Sequence, residues 1–148
     1  SLKHLRSFNL SDLEPIMGYA GTLIDMSYHD SGKEVAQWNI DNPKLTVRNP
    51  RIEKKDYDDT VALAAVLDDI VTCTTTLAHV CGAIGRHSYV LVPQAPQWRY
   101  QHPAADGGLY WYPEASVDMV RQVKGETTWT PAINRLAEKM GKIAQLRG

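Results

Sequence analysis

The stretch that decides the fold is DIVTCTTTLAHVCGAIGRHSYVLVPQAPQWR, residues 69–99. Its short apolar runs at Ile70–Cys73 and Tyr89–Val92 are suited to buried parallel strands. Between them, apolar residues recur at helical spacing from Leu77 to Ile84, and Gly85 stands where such a helix ends. The stretch therefore predicts a strand–helix–strand unit with a hydroxyl-rich turn after its first strand.

Strand and helix patterns alternate on both sides of this unit. Further strands are predicted at 22–28, 45–47 and 117–120, and further helices at 11–17, 34–38, 56–67 and 130–146. Ser11 is the predicted cap of the first helix, and Thr130 with Pro131 begins the last. This alternation predicts one α/β domain over residues 1–148, with a parallel sheet and helices on both faces.

The turn Thr74-Thr75-Thr76 is where chemistry enters the predicted fold. Its three hydroxyls stand at the amino end of a helix whose first N–H groups lack partners within the helix. Such an end offers donors and partial positive charge to an anion such as a diphosphate. The alternative is structural: Thr75 or Thr76 caps the helix and binds nothing.

Composition excludes several other classes of function. The 148 residues are 43% hydrophobic, and their formal net charge of -1 comes from 16 basic and 17 acidic residues. This balance gives no electrostatic basis for binding nucleic acid or an anionic membrane, and no apolar run is long enough to span one. Cys73 and Cys81 lack metal-ligand spacing and predict a reducing, cytoplasmic setting without a bound metal.

Several short runs occur together in a specific order: Asp58–Leu63, Leu67–Val71, Thr75–Gly85, Leu91–Arg99 and Tyr110–Pro113, with weaker similarity at Arg6–Ser7 and Ile24–Tyr28. With this pattern the chain resembles the carboxyl-terminal half of a glycosyltransferase of the GT-B fold. It is most similar to glycosyltransferase family 9, the heptosyltransferases, and to such modules in tetratricopeptide-repeat proteins. The resemblance covers nearly the whole chain.

The resemblance implies a Rossmann-like, three-layer α/β/α domain with a mostly parallel sheet, one half of a GT-B fold. Such a domain binds a nucleotide-diphosphate sugar, the donor substrate, and needs no cofactor. The diphosphate would lie at Thr74–Thr76, with His79 facing the same cleft and stabilising the leaving group. A loop containing Asp30 would approach the ribose or base, and the loop with Gln94 and Arg99 would lie along the rim.

The resemblance also implies a partner, because the general base of such enzymes usually comes from an amino-terminal, acceptor-binding domain of the same or another chain. Thr74 departs from the family, which generally has an aspartate at the start of this turn. A threonine accepts hydrogen bonds from sugar hydroxyls less strongly than a carboxylate. Two hypotheses therefore stand: the donor-binding half of a hexosyl- or heptosyltransferase, and a non-catalytic remnant that serves as an interaction module.

Each candidate residue also has a structural interpretation. His79 is equally consistent with a histidine hydrogen-bonded within the fold, and Arg99 with an ordinary exposed arginine. Residues Pro93–Pro113 are predicted to form a long, irregular, aromatic loop. Its Trp98 and Tyr110–Tyr112 could stack on a base or sugar, or simply cover the sheet edge and anchor this loop. Asp58 and Asp59 are interpreted as first-turn acids that complement the helix dipole.

Overall fold

Strands paired in parallel form the framework of the computed structural model, which describes residues 8–50, 57–105, 108–112 and 116–147. β1 (Leu23–Ile24) pairs with β2 (Val47–Arg48), and β3 (Ile70–Cys73), β4 (Ser88–Val92) and β5 (Val117–Arg121) form a second sheet in that order. Helices alternate with these strands. The predicted α/β class with parallel strands is thus confirmed, and it is compatible with a Rossmann-like α/β/α domain.

The chain divides into two compact units. We call Val61–Ala132 the central unit, and Phe8–Thr60 with Ile133–Gly148 the flanking unit, after their places in the sequence. The single sheet expected from the alternation is replaced among the described residues by two separately hydrogen-bonded sets of strands. β1 and β2 have only two residues each, which leaves few backbone groups for further pairing.

The central unit is built around β4. All five of its residues are buried, as expected for a strand between two parallel neighbours, and four of them form the apolar run Tyr89–Val92. The registers pair Ile70 with Ser88 and Ser88 with Val117, so the three strands begin side by side. Their carboxyl ends therefore lie at one common edge of the sheet.

Helix α4 (Thr76–Ala83) connects β3 to β4, as the sequence predicts. Gly85 follows it with φ of 68°, a left-handed conformation that side chains rarely adopt and that glycine permits. The Arg86 amide then bonds to the Cys81 carbonyl at 2.8 Å, which closes the end of the helix.

The core of the central unit joins this helix to the sheet and to the long loop after β4. Its buried members are Ala78, Val90, Val92, Tyr100, Leu109 and Val117. The loop contributes Tyr100, within a 3-10 helix at Trp98–Tyr100, and Leu109. The predicted irregular aromatic loop therefore supplies two nearly fully buried side chains to the core.

The flanking unit starts with a 3-10 helix at Leu10–Leu13 that continues as α1 (Glu14–Met17). The predicted cap, Ser11, is wrong, because Asn9 and Asp12 form a reciprocal capping box two residues earlier. α2 (Gly32–Asp41) is twice the length expected from residues 34–38, and Asn42 ends it as predicted. The predicted strand 22–28 shortens to β1. The Asp25 amide still bonds to the Arg48 carbonyl at 2.8 Å, and the Asp25 carboxylate then accepts the Ser27 amide at 2.9 Å, which turns the chain.

A small apolar core holds the flanking unit together. It consists of Met17, Val35, Trp38 and Val47, with Leu10, Leu13, Leu23 and Leu45 packed against it. Trp38 donates its indole N–H to the Leu45 carbonyl at 2.7 Å, so this buried ring satisfies its polar group within the core.

Two further helices follow the predicted positions. α3 spans Tyr57–Val66 with Asp58 and Asp59 in its first turn, and α5 spans Thr130–Arg147. Asp56, which the sequence placed at the start of α3, lies outside the described residues, as does the opening segment 2–7. Among the helices described, none has the length and apolar character needed to cross a membrane.

Candidate functional site

The Thr74–Thr76 turn lies where β3 ends and α4 begins, at the carboxyl edge of the three-stranded sheet. Thr75 is the N-cap residue with extended backbone, φ -122° and ψ 175°. Thr75 and Thr76 are exposed, whereas Thr74 is only 5% exposed. The strand–turn–helix context that an anion site needs is therefore present, with its tip open to solvent.

The hydroxyl of Thr75 does not cap the helix. Its Oγ1 lies 3.1 Å from Oγ1 of Thr72, and α4 has no side-chain capping hydrogen bond. The first-turn amides of α4 thus receive no side-chain acceptor from the N-cap residue, which differs from the capping role that the sequence offered as an alternative.

Thr74 is a second unusual feature of this turn. Its Oγ1 is buried and has no hydrogen-bond partner among the residues that the structure describes. An unpartnered buried hydroxyl costs on the order of 1–3 kcal/mol, so native structures contain few of them. Of the first-turn amides, that of Ala78 bonds to the Thr75 carbonyl at 3.2 Å. The turn therefore combines the Thr76 and Leu77 amides, which have no side-chain cap, with an unpartnered hydroxyl.

His79 lies one helical turn further along α4, between two tyrosine hydroxyls. Its Nδ1 is 2.8 Å from the hydroxyl of Tyr112, and its Nε2 is 3.0 Å from the hydroxyl of Tyr100. Tyr100 also donates to the Thr75 carbonyl at 3.4 Å. The sequence left open a histidine bonded within the fold, and both ring nitrogens do have partners here.

These contacts define a chain of hydrogen bonds. A hydroxyl has one proton, so when Tyr100 donates to Thr75 its oxygen accepts from Nε2–H of His79. Nδ1 of His79 then accepts from Tyr112, and the imidazole is neutral. Burial, followed by the positive charge of Arg99, lowers the pKa of His79 below the ordinary 6.5, and burial raises the pKa of Tyr100 to about 12.

Tyr100 and Tyr112 were not singled out as partners of His79 from the sequence, yet each is fixed by a further contact. Arg121 donates to the backbone carbonyl of Tyr100. The ring of Tyr112 lies directly on the backbone of Gly82, where a Cβ would come closer than 3.0 Å to ring atoms. No local pattern could predict these contacts, since they join residues 21 to 33 positions apart.

Three exposed aromatic side chains lie beside this network. Trp98, Tyr110 and Trp111 are 62%, 71% and 56% exposed. Trp111 meets Trp98 at 6.2 Å and Tyr110 at 5.7 Å between ring centroids, both edge to face. We call these three residues the aromatic cluster; the guanidinium of Arg99 lies over the Trp98 ring at 5.4 Å.

The remaining candidates are held by local contacts. Gln94 donates its side-chain amide to the Val123 carbonyl at 2.8 Å, and so joins the loops after β4 and β5. Asp30 belongs to the flanking unit, where its carboxylate accepts the Gly32 amide at 3.2 Å. Arg99 is exposed and contacts Gln97 at 3.3 Å. The structure thus brings Thr75, His79 and the Arg99 segment together, whereas the side chain of Gln94 bonds to the loop after β5.

The opposite, amino edge of the sheet holds a polar pair that sequence reasoning missed. Nδ1 of His87 lies 2.6 Å from the carboxylate of Asp69, and both side chains are about one-third exposed. The signal was available: Asp69 and His87 each directly precede a strand, and β3 and β4 pair with Ile70 opposite Ser88. Residues that directly precede two paired strands in this register lie side by side, so their side chains are expected to be in contact.

Metal-ligand groupings are absent from the part of the chain that the structure describes, where no cluster of three His, Cys, Asp or Glu side chains could hold an ion. Cys73 and Cys81, both within the described residues, are not joined in a disulfide. Searches of family models, of curated proteins and of solved structures each find no match to this chain. The resemblance to heptosyltransferase-like domains therefore stays a prediction from the sequence.

Proposed function

We propose that the chain is the donor-binding part of a glycosyltransferase and binds the diphosphate of a nucleotide sugar at the amino end of α4. The acceptor-binding site and the general base would come from another domain, of the same or another chain. This chain would supply binding and stabilisation of the departing diphosphate.

The observation that carries the proposal is the uncapped start of α4. Thr75 and Thr76 are exposed there, and the N-cap hydroxyl bonds to Thr72 instead of to a first-turn amide. Unpaired N–H groups and the helix dipole attract anions, and a diphosphate supplies several acceptor oxygens. The unpartnered hydroxyl of Thr74 is a further donor within the same turn.

Charge beside the turn also favours a diphosphate. Burial and, after it, the positive charge of Arg99 lower the pKa of His79, so the charge of Arg99 acts at the network that reaches the Thr75 carbonyl. The negative charge of a bound phosphate would favour the protonated imidazole and so raise the pKa of His79. Once protonated, His79 would exchange one of its two tyrosine hydrogen bonds for one to the departing diphosphate and so stabilise its charge.

The test is thermal unfolding with UDP, GDP, ADP and inorganic phosphate. A ligand at about 100 times its Kd adds about 2.7 kcal/mol of stability, which is a rise of several degrees in Tm for a chain of this size. We expect at least one nucleoside diphosphate to produce this rise. Inorganic phosphate alone should give a much smaller one.

Two substitutions at Thr76 separate backbone binding from side-chain binding. Thr76→Pro removes one amide at the first helical position, where proline is well tolerated and where the extended Thr75 suits a following proline. Thr76→Ala removes the hydroxyl and keeps the amide. We expect Thr76→Pro to lose most of the protection and Thr76→Ala to retain most of it, with the exposed Thr127→Ala as control.

The alternative function, a non-catalytic interaction module, is favoured by a specific observation. Both ring nitrogens of His79 are already engaged by tyrosines, and Thr74 stands where an acid is expected from the resemblance. This alternative predicts that no nucleotide shifts the Tm. The diphosphate site would also be contradicted if Thr76→Pro, Thr76→Ala and the control Thr127→Ala lost nucleotide protection to the same extent.

A further inference from the structure

The aromatic cluster of Trp98, Tyr110 and Trp111 is not explained by the proposed diphosphate site. Large aromatic side chains usually bury their rings, and Trp38 and Trp129 of this chain do so at 8% and 7% exposure. Trp98 and Trp111 instead expose more than half of their surface and contact each other. A contiguous exposed apolar patch of a few hundred Å² is often functional.

We propose that the aromatic cluster binds a neutral oligosaccharide by stacking a sugar ring against Trp98 and Trp111. The proposal does not depend on nucleotide binding. It names a second ligand, recognised through ring faces rather than through charge.

The geometry of the rings favours a small, faceted ligand. Trp98 and Trp111 meet at 89°, so their ring planes form a corner, and the ring of Tyr110 stands at 88° to that of Trp111. A pyranose presents a flat face of C–H groups, which packs on an aromatic face, and an equatorial rim of hydroxyls. The exposed amides of Gln97 and Gln101 and the guanidinium of Arg99 lie in the same segment and can donate to those hydroxyls.

The size of the cluster argues against a protein partner. At about 200 Å² for each aromatic side chain, the exposed part of the three amounts to roughly 400 Å². A stable protein interface needs about 800 Å² from each partner. A few sugar rings, by contrast, cover an area of the size available here.

The loop that carries the cluster is held in place before any ligand arrives. Tyr100 follows Arg99 directly and is 1% exposed, and Tyr112 follows Trp111 and bonds to His79. Both ends of the cluster are therefore next to side chains anchored on α4 or in the core. Pre-organisation of this kind lowers the entropic cost of binding.

The four tryptophans make the test selective, because acrylamide quenches exposed indoles and hardly reaches buried ones. The whole 148-residue chain is titrated with cellohexaose, maltohexaose and chitohexaose while quenching is recorded. We expect one of the three to protect Trp98 and Trp111. Trp98→Ala should weaken that binding at least tenfold, whereas Tyr28→Ala, an exposed aromatic of the flanking unit, should leave it unchanged.

Several outcomes would overturn the proposal. The first is that none of the three hexasaccharides, at millimolar concentration, protects the tryptophans of the native chain from quenching. This outcome counts even if a tryptophan variant fails to fold. Equal protection by UDP alone would assign the rings to the nucleotide. Protection that increases with protein concentration, without sugar, would assign them to a second copy of the chain. Because the readout needs no nucleotide, failure here leaves the Tm test of the diphosphate site intact.

Discussion

The two edges of the β3–β4–β5 sheet differ in how completely their polar groups are partnered. At the amino edge, Asp69 pairs with His87, and the Ser88 hydroxyl donates to the Ser116 carbonyl at 3.4 Å. At the carboxyl edge, the Thr74 hydroxyl has no partner among the described residues. The amino-edge side chains bond within the edge, whereas this buried hydroxyl at the carboxyl edge, where we propose the diphosphate site, does not.

The difference follows from what each edge is made of. Residues at the amino edge directly precede adjacent strands, so the register itself places their side chains together. The carboxyl edge opens into a helix start and a long loop, whose backbone groups are not paired by the ladder. Open α/β sheets bind their ligands at this end of the strands for that reason.

One histidine near each edge, His87 at the amino edge and His79 at the carboxyl edge, shows the same contrast. His87 contacts a carboxylate, whereas His79 contacts two phenols that are hydrogen-bonding groups without charge at neutral pH. Protonation of His79 has no adjacent carboxylate among these contacts to stabilise it. An incoming anion at the carboxyl edge would provide that stabilisation.

The largest expected effect comes from breaking the contact that fixes the aromatic loop. Gly82→Ala would place a Cβ closer than 3.0 Å to the Tyr112 ring and force the ring away from His79. We expect the free energy of unfolding in urea to fall by about 2 kcal/mol, the usual cost of overpacking. Glycine in a helix is otherwise destabilising, so a loss here would be caused by the tyrosine.

Two matched variants check that cause. In a Tyr112→Ala background, Gly82→Ala should become stabilising by about 0.5–1 kcal/mol, since only helix propensity remains. Gly141→Ala in α5 meets the hydroxyl end of Tyr19 at 3.0 Å, which can move aside, so we expect no loss there. An unchanged loss without Tyr112 would contradict the proposed role of the contact.

The next effect has the opposite sign. Thr74→Val removes a buried hydroxyl without a partner, so we expect the free energy of unfolding to rise by about 1 kcal/mol. Ser88→Ala at the amino edge removes a bonded hydroxyl and should lower it by about 0.5–1 kcal/mol. Thr74→Val should also reduce nucleotide protection; destabilisation by Thr74→Val would show that the hydroxyl is satisfied in solution.

The contrast between the edges also marks what the sequence could predict. Apolar runs and Gly85 define β3, α4 and β4 to within a residue or two, because burial and helix termination are local properties. The hydroxyl turn after β3 was predicted for the same reason. The amino-edge pair was predictable from the register but required knowing which strands are neighbours.

The contacts of the aromatic loop were beyond local reasoning. Tyr100 and Trp98 belong to one 3-10 turn, yet one is fully buried and the other 62% exposed. Which ring enters the core depends on the position of α4 and β5, brought together only by the tertiary fold. The predicted strand 22–28 was too long because, after Asp25, a side-chain hydrogen bond to the Ser27 amide turns the backbone without any apolar signal.

A smaller effect is expected from pH. The pKa of His79 is lowered in the folded chain, so the unfolded chain takes up a proton first as pH falls below about 6.5. Stability is therefore fully present above that value and decreases as pH falls toward the folded pKa. Urea unfolding at several pH values, compared between the native chain and His79→Gln, should show a shallower decrease in the variant.

An NMR titration of the His79 ring provides the check. Its midpoint should lie below that of a free histidine and move upward when a nucleoside diphosphate binds, because the anion favours the imidazolium. A midpoint that does not move on binding would separate His79 from the diphosphate site. Identical pH dependence in His79→Gln would exclude it as the source of the decrease.

The smallest effect belongs to the satisfied edge. Asp69→Asn keeps an oxygen acceptor and removes the charge opposite His87, and both side chains are about one-third exposed, so solvent already screens the pair. In buffer acidic enough to protonate His87, we expect a loss of about 0.5 kcal/mol in urea unfolding at low salt, decreasing as NaCl is added, and a coupling of the same size in a double-mutant cycle with His87→Gln. Nucleotide protection should be unchanged, because the pair lies at the opposite edge of the sheet. If Asp69→Asn reduced that protection as strongly as Thr76→Pro, the two edges would be energetically coupled, and binding capacity could no longer be assigned to the carboxyl edge alone.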